Sequence, residues 1–232
     1  MKNLCIVQAR MGSSRLPGKV MKRINGHPMI YYTLIRLQES RYIDEIILAT
    51  STKDIDNPLA EYVETLGIGV FRGSEENVLE RYKLASDKYN GDTIIRVTGD
   101  CPLIDPIIVD NAITKYLMYD YDYLRLDVPR TFMRGFDVEV FSKNTLEEVY
   151  GIVCSEENIK NKEYELFREH VTYYIYTHQS NFNVGYLKGE FKVHKDINLS
   201  VDTKKDFSCV KNIYESYNEK VKFNKIIKEI LK

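Results

Sequence analysis

The chain has 232 residues, 44% of them hydrophobic and 29% charged, with a formal net charge of −1. This balance fits one sizeable globular domain and excludes a disordered chain. No apolar run approaches the ~20 residues of a membrane span, and Leu4–Val7 is too short for a signal-peptide core, so the expected location is the cytoplasm.

Short apolar runs alternate with amphipathic stretches through the first half. Leu4–Gln8, Glu45–Thr50, Gly69–Phe71 and Thr93–Thr98 read as strands. Pro28–Glu39, Asp54–Leu66 and Glu76–Tyr89 read as the helices between them, with Pro28 suited to a first helical position. This rhythm predicts a doubly wound, mostly parallel α/β sheet whose ligands sit beyond the carboxyl ends of the strands. After about residue 118 the rhythm changes. Phe136–Phe141 alternates like a strand, with Asp137 and Glu139 on one face. Asn144 with Glu147 resembles a capping box. Ser155–Glu165 reads as a loop, Leu166–His178 as a helix and Phe182–Leu187 as a strand. Helices over Thr203–Tyr217 and Phe223–Leu231 close the chain.

Charge is distributed unevenly. Residues 1–38 hold seven Lys or Arg and no acid, which leaves −8 on the other 194 residues. Such a chain lacks the broad basic face of a nucleic-acid binder. Three of the cations, Arg10, Arg15 and Lys19, lie in the Gln8–Lys19 loop beside Gly12, Ser13 and Gly18. Like charges about 4 Å apart repel by ~1 kcal/mol in water and more near a desolvated surface. A loop that gathers them points to a small, highly charged anion, with a solvated basic loop as the alternative. Asp100 follows the strand Thr93–Thr98, and Asp202 ends the strand-like run Ile197–Asp202. Mg²⁺ is commonly held by one or two carboxylates together with substrate phosphates, so the pair fits a metal–triphosphate site. Capping of a turn by Asp100, and of the helix at Thr203 by Asp202, is the competing reading. The 4 cysteines form no C-x-x-C pair, and no histidine stands near Cys101 in sequence to activate it. Of the 18 tyrosines, Tyr116, Tyr119, Tyr121 and Tyr123 cluster, as do Tyr173, Tyr174 and Tyr176, which fits amphipathic packing or a subunit interface, with a base-stacking surface as the alternative.

The Gln8–Lys19 stretch resembles the signature of the acylneuraminate and deoxy-octulosonate cytidylyltransferases. More closely, the chain resembles the spore-coat polysaccharide biosynthesis protein F family. Supporting segments are Phe71–Ser74 with Val78–Tyr82, Val97–Pro106, Gly135–Phe141, Arg168–Thr172 and Asn198–Thr203. The resemblance implies one nucleotide-diphospho-sugar transferase-like (Rossmann-like) nucleotidyltransferase domain over residues 1–232, with a less regular acceptor and dimerisation region near 120–195. It implies CTP and Mg²⁺, a small anionic sugar or phosphate acceptor, and a homodimer. By position, Gln8, Ala9, Arg10, Gly12, Ser13, Arg15, Lys19, Arg72 and Thr98 would hold the nucleotide. Asp100 and Asp202 would bind metal, and Lys19, Arg15 and Asp100 would carry catalysis. Asp137, Glu139, Arg168, Glu169 and His170 are acceptor candidates, with a solvated strand face and a plain helix surface as alternatives. Two departures, Asn77 and Met133-Arg134, lie where relatives often have other residues and the second substrate could be read. A nucleotide-sugar-dependent glycosyltransferase and a catalytically silent partner-binding homologue are the competing classes.

Overall fold

The apolar runs of the sequence become the central strands because both faces of the sheet are covered by helices. In the computed structural model, which describes residues 1–189, 198–217, 222, 225 and 226, the strands are β1 (Asn3–Gln8), β2 (Arg23–Ile24), β3 (His27–Pro28), β4 (Glu45–Ser51), β5 (Gly69–Gly73), β6 (Thr93–Thr98), β7 (Tyr123–Leu126), β8 (Glu139–Ser142) and β9 (Val184–Leu187). The helices are α1 (Met29–Leu37), α2 (Asn57–Thr65), α3 (Val78–Tyr89), α4 (Pro106–Met118), α5 (Lys143–Val153), α6 (Glu165–Glu169), α7 (Tyr173–Thr177) and α8 (Lys204–Tyr217).

Seven strands form one sheet in the order β5-β4-β1-β6-β8-β7-β9, and β2 pairs with β3 separately. The pairs β1–β4, β1–β6, β4–β5 and β7–β9 are parallel, while β8 runs antiparallel to both neighbours. Alternate residues of β1 feed two cores. Cys5 and Val7 pack with α1, α2, α4 and α8, whereas Leu4 and Ile6 pack with α3, α5 and α7. From β1 the chain winds outward through β4 and β5, then returns through α3 to β6 on the other side of β1. The order therefore reverses between β1 and β6, where doubly wound sheets open a crevice for ligand. No helix among the described residues is long and apolar enough to cross a membrane.

Several local expectations change. Helix α4, absent from the sequence reading, opens at Asp105, whose carboxylate accepts from Ile107 N at 2.9 Å, with Pro106 in the first turn. The cap of α5 is Ser142, not Asn144. Ser142 leaves β8 extended and accepts from Thr145 N at 2.9 Å, while Asn144 already lies inside the first turn. The expected helix Leu166–His178 is two short helices, broken at His170, whose ψ of 88° is not helical. The break lets the Thr172 hydroxyl donate to Glu139. The segment ending at Asp202 is not a strand of the sheet. Its described part makes one parallel bridge, Asn198 to Arg134, and its Val201 N donates to the Asp100 carbonyl at 2.8 Å. Most of Phe223–Leu231 lies outside the described residues.

Candidate active site

The crevice is built from backbone first. Gln8 and Thr98 are register partners at the ends of β1 and β6, and Gly99 N donates to the Gln8 carbonyl at 2.8 Å. The loop after β1 folds on its own backbone, with Ser13 N and Gly18 N both donating to the Met11 carbonyl. Gly18 sits at φ 65°, in the left-handed region that a glycine occupies without strain. Buried Leu16 and Val20 anchor the loop to the core, which leaves Arg15 and Lys19 turned toward Asp202 and Asp100. Met11 N is held from below by Asp56 Oδ1 at 2.6 Å.

Lys19 is the centre of the site. Its Nζ donates to Asp100 Oδ2 at 2.8 Å, to the Val201 carbonyl at 2.8 Å and to Asp202 Oδ1 at 3.0 Å. Arg15 Nη2 lies 3.1 Å from the same Asp202 oxygen. Burial opposes the charge on Lys19, but the two carboxylates outweigh it and hold the ammonium above its ordinary pKa. Burial likewise works to raise Asp100, and the Lys19 charge and hydrogen bond overcome it, so its carboxyl falls below the ordinary value. Asp202 is spared capping duty. The start of α8 is closed instead by Asp206, which accepts from Asp202 N, Thr203 N and the Thr203 hydroxyl. Arg10 and Lys53 share Glu75, at 3.2 and 2.8 Å. The three loop cations, which repulsion would spread, are thus each met by a carboxylate.

Three cavities meet here. The middle one, of about 310 Å³, is lined by Gln8, Ala9, Arg10, Gly12, Ser13, Arg15, Lys19, Thr98, Asp100 and Asp202 among others. All the expected nucleotide residues except Arg72 are there. Arg72 instead donates to the Ser51 and Lys53 carbonyls at 2.9 Å each, tying β5 to the turn after β4. A second cavity, of about 210 Å³, shares Thr98, Asp100 and Asp202 and adds Arg96, Cys101, Arg134, Asp137, Glu139, Asn198 and Ser200. A third, of about 620 Å³, shares Gln8 and Arg10 and adds Ser74–Val78, Arg81, Ile159, Glu165, Arg168, Glu169 and His170. The five acceptor candidates are therefore split between two cavities on opposite sides of the loop.

Asp137 and Glu139 are not a solvated strand face. Glu139 pairs with Arg96, and Tyr123 Oη donates to it at 2.6 Å. Burial raises the Glu139 carboxyl, yet the charges of Arg96 and Arg125 and the Tyr123 and Arg96 hydrogen bonds together hold it below the ordinary value. Burial pushes the Asp137 carboxyl up, although Gly135 N donates to it at 2.8 Å. Burial also drives the Cys101 thiol well above its ordinary pKa, which removes it as a nucleophile. The two departures separate. Asn77 caps α3, accepting from Glu80 N at 3.1 Å, while Arg134 faces the second cavity. Arg96, Arg134, Asn198 and Ser200 were not singled out as site residues from sequence. The signal available for Arg134 was its place before Gly135, among the residues of the second-substrate region.

The sequence model of the family described as cytidylyltransferase matches residues 4–229. This chain belongs to the cytidylyltransferase family. It is 33% identical over 224 residues to the spore coat polysaccharide biosynthesis protein SpsF of Bacillus subtilis, covering 94% of this chain and 88% of that protein. A solved cytidylyltransferase from Leptospira borgpetersenii superimposes with a TM-score of 0.90 at 30% identity, covering 100% of this chain and 94% of the other. A CMP:2-keto-3-deoxy-manno-octonic acid synthetase complexed with CTP matches at TM-score 0.68 and 17% identity, over 93% of this chain and 99% of that one, a likeness of fold. The sheet order and the crevice between β1 and β6 are thus features of a cytidylyltransferase.

Proposed function

We propose that this cytidylyltransferase moves CMP from CTP to an oxygen of a small anionic sugar acid or phosphorylated acceptor, releasing pyrophosphate. The observation that carries the reading is Lys19, which joins Asp100 and Asp202 inside a cavity rimmed by the Gln8–Lys19 loop. The name of the Bacillus relative supports a place in surface polysaccharide synthesis.

Mg²⁺ fits the residues present. Two carboxylate oxygens from separate segments converge on a single cation, the Lys19 ammonium, at 2.8 and 3.0 Å. No group of three or more His, Cys, Asp or Glu that could hold a metal occurs among the described residues. Mg²⁺ characteristically takes one or two carboxylates and completes its shell with substrate phosphates and water, so Asp100 and Asp202 would hold it. When bound, it would supply charge neutralisation at the reacting phosphate.

The protein's own groups do the rest by position and charge. The acceptor enters the cavity of Arg134–Glu139, because that cavity shares Asp100 and Asp202 with the phosphate loop. The nucleoside enters the larger cavity beside Gln8 and Arg10, and Arg168, Glu169 and His170 act on that side. An acceptor oxygen attacks the α-phosphorus, the bond to the bridging oxygen breaks, and its electron pair leaves with pyrophosphate; where the acceptor oxygen is a hydroxyl, its proton passes to water. Arg15 and Lys19 receive that charge, since both are on the loop that faces the phosphates. Pyrophosphate release from CTP and Mg²⁺ over a panel of sugar acids, polyol phosphates and sugar phosphates tests the reading. Release is expected with one acceptor class and is lost in Asp100→Ala. Normal release by that variant would overturn the metal assignment.

A further inference from the structure

The acceptor-side cavity has a charge balance that can be followed group by group. Of its two guanidinium groups, Arg96 is spent on Glu139, which Tyr123 and Thr172 also hold. Of its other carboxylates, Asp100 and Asp202 are held by Lys19, and Arg15 adds to Asp202. Asp137 accepts from Gly135 N and feels the charge of Arg134 without an ion pair. Arg134 remains. It is exposed, lines the cavity, and makes no side-chain hydrogen bond or ion pair among the described residues.

Its backbone, by contrast, is clamped. Leu199 N donates to the Arg134 carbonyl at 2.9 Å, and the two segments form a parallel bridge at Arg134 and Asn198. Gly135 follows at φ 104°, so close to the opposite segment that a Cβ would lie 2.5 Å from the Leu199 carbonyl carbon. A guanidinium on a fixed backbone, opposite Asn198 and within the field of Asp137, is a charged donor awaiting a planar or tetrahedral anion.

We propose that Arg134 selects the acceptor by receiving its single anionic group, a carboxylate or a phosphate. The inference rests on the assignment of this cavity to the acceptor. One uncommitted cation matches one negative group, and a second anion would meet Asp137, Asp100 or Asp202. A neutral acceptor gains nothing at Arg134, and a cationic one is repelled.

The test measures thermal shift and steady-state kinetics on the whole chain. Sugar acids and sugar phosphates are each compared with a neutral counterpart, the amide or the dephosphorylated sugar, in the presence of Mg²⁺ and a non-hydrolysable CTP analogue. An anionic compound is expected to raise the melting temperature of the wild type where its neutral counterpart does not. Whether the sugar acid or the sugar phosphate does so identifies the source of the charge. For that compound, with CTP in turnover, Arg134→Ala should raise the acceptor KM on the order of 10- to 100-fold, the effect of one charge-assisted hydrogen-bonded contact. The CTP KM should stay within about twofold, Arg134→Lys should recover part of the loss, and Arg134→Glu should lose the response. Equal responses to charged and neutral compounds, no response to any anion, or an unchanged acceptor KM in Arg134→Ala would overturn the proposal. Failure of the CTP analogue itself to shift the wild type would instead overturn the nucleotide reading.

Discussion

Glu139 lines one cavity and is tied by a hydrogen bond to the segment beside another. It neutralises Arg96, which lines the same 210 Å³ cavity, and accepts from Thr172, two residues beyond His170 of the 620 Å³ cavity. Removing one partner of a buried pair leaves the other charge without compensation, so Glu139→Gln should lower stability by about 3 kcal/mol at neutral pH. Chemical unfolding measures this. The Glu139 carboxyl lies below its ordinary pKa in the folded protein, so its stabilisation is present above the unfolded value, about 4.3, and is lost as pH falls through the folded one. The gap between wild type and Glu139→Gln should therefore narrow on acidification below pH 4.3. A gap that widens there would contradict the assignment. Lys19→Ala should cut turnover by about 100-fold or more, as expected for a group that stabilises the leaving charge.

Among the elements, the tight crossing of residues 134–135 with 198–200 holds the segment that runs on to Asp202 and docks on the Asp100 carbonyl through Val201 N. Gly135→Ala would place a methyl group against the Leu199 backbone and force an unfavourable φ. The expected cost is about 1–3 kcal/mol, seen as a lower melting temperature, with weaker CTP binding as the crossing opens. The same crossing explains what the sequence could and could not tell. Strands β1, β4, β5 and β6 were legible because buried parallel strands are written as continuous apolar runs. Helix α4 carries a readable Asp105-Pro106 start and an apolar spacing at Ile108, Val109, Ala112 and Ile113. β7 was hidden inside a tyrosine-rich stretch. The break at His170 had no local signal, because what fixes it is Thr172 reaching Glu139 more than thirty residues away. Likewise Asp202 arrives by tertiary docking on Asp100, not by ending a sheet strand.

At the scale of the molecule, the order reversal between β1 and β6 gathers a loop from the N-terminus, a turn at residue 100 and a segment at residue 200. The loop and both acids were legible because their residue types had few other uses. Their sorting into three cavities was not, since Arg168–His170 and Asp137–Glu139 differ only by which side of Gln8 they reach. The homodimer implied by the family resemblance predicts sedimentation at twice the chain mass of 27.2 kDa. Leu117, Met118 and Tyr119, exposed by 44%, 71% and 57% at the end of α4, are the side chains to exchange for polar ones if it does. A monomer at micromolar concentration would remove that expectation.

The Lys19 ammonium occupies the two carboxylates that the proposed Mg²⁺ would take, so lysine and metal would compete for them. On the proposed reading, both carboxylates would come free for a metal only when Lys19 and Arg15 have another anion to move to, and the triphosphate of CTP would be that anion. Nucleotide and metal should therefore enter as mutual prerequisites, with the free enzyme guarded against scavenging stray ions. Titration with Mn²⁺ should show weak binding to the protein alone and binding on the order of tenfold tighter beside a CTP analogue, within the usual range of coupling between sites. In Lys19→Met that difference should shrink, because Asp100 loses its ammonium partner while Arg15 still holds Asp202.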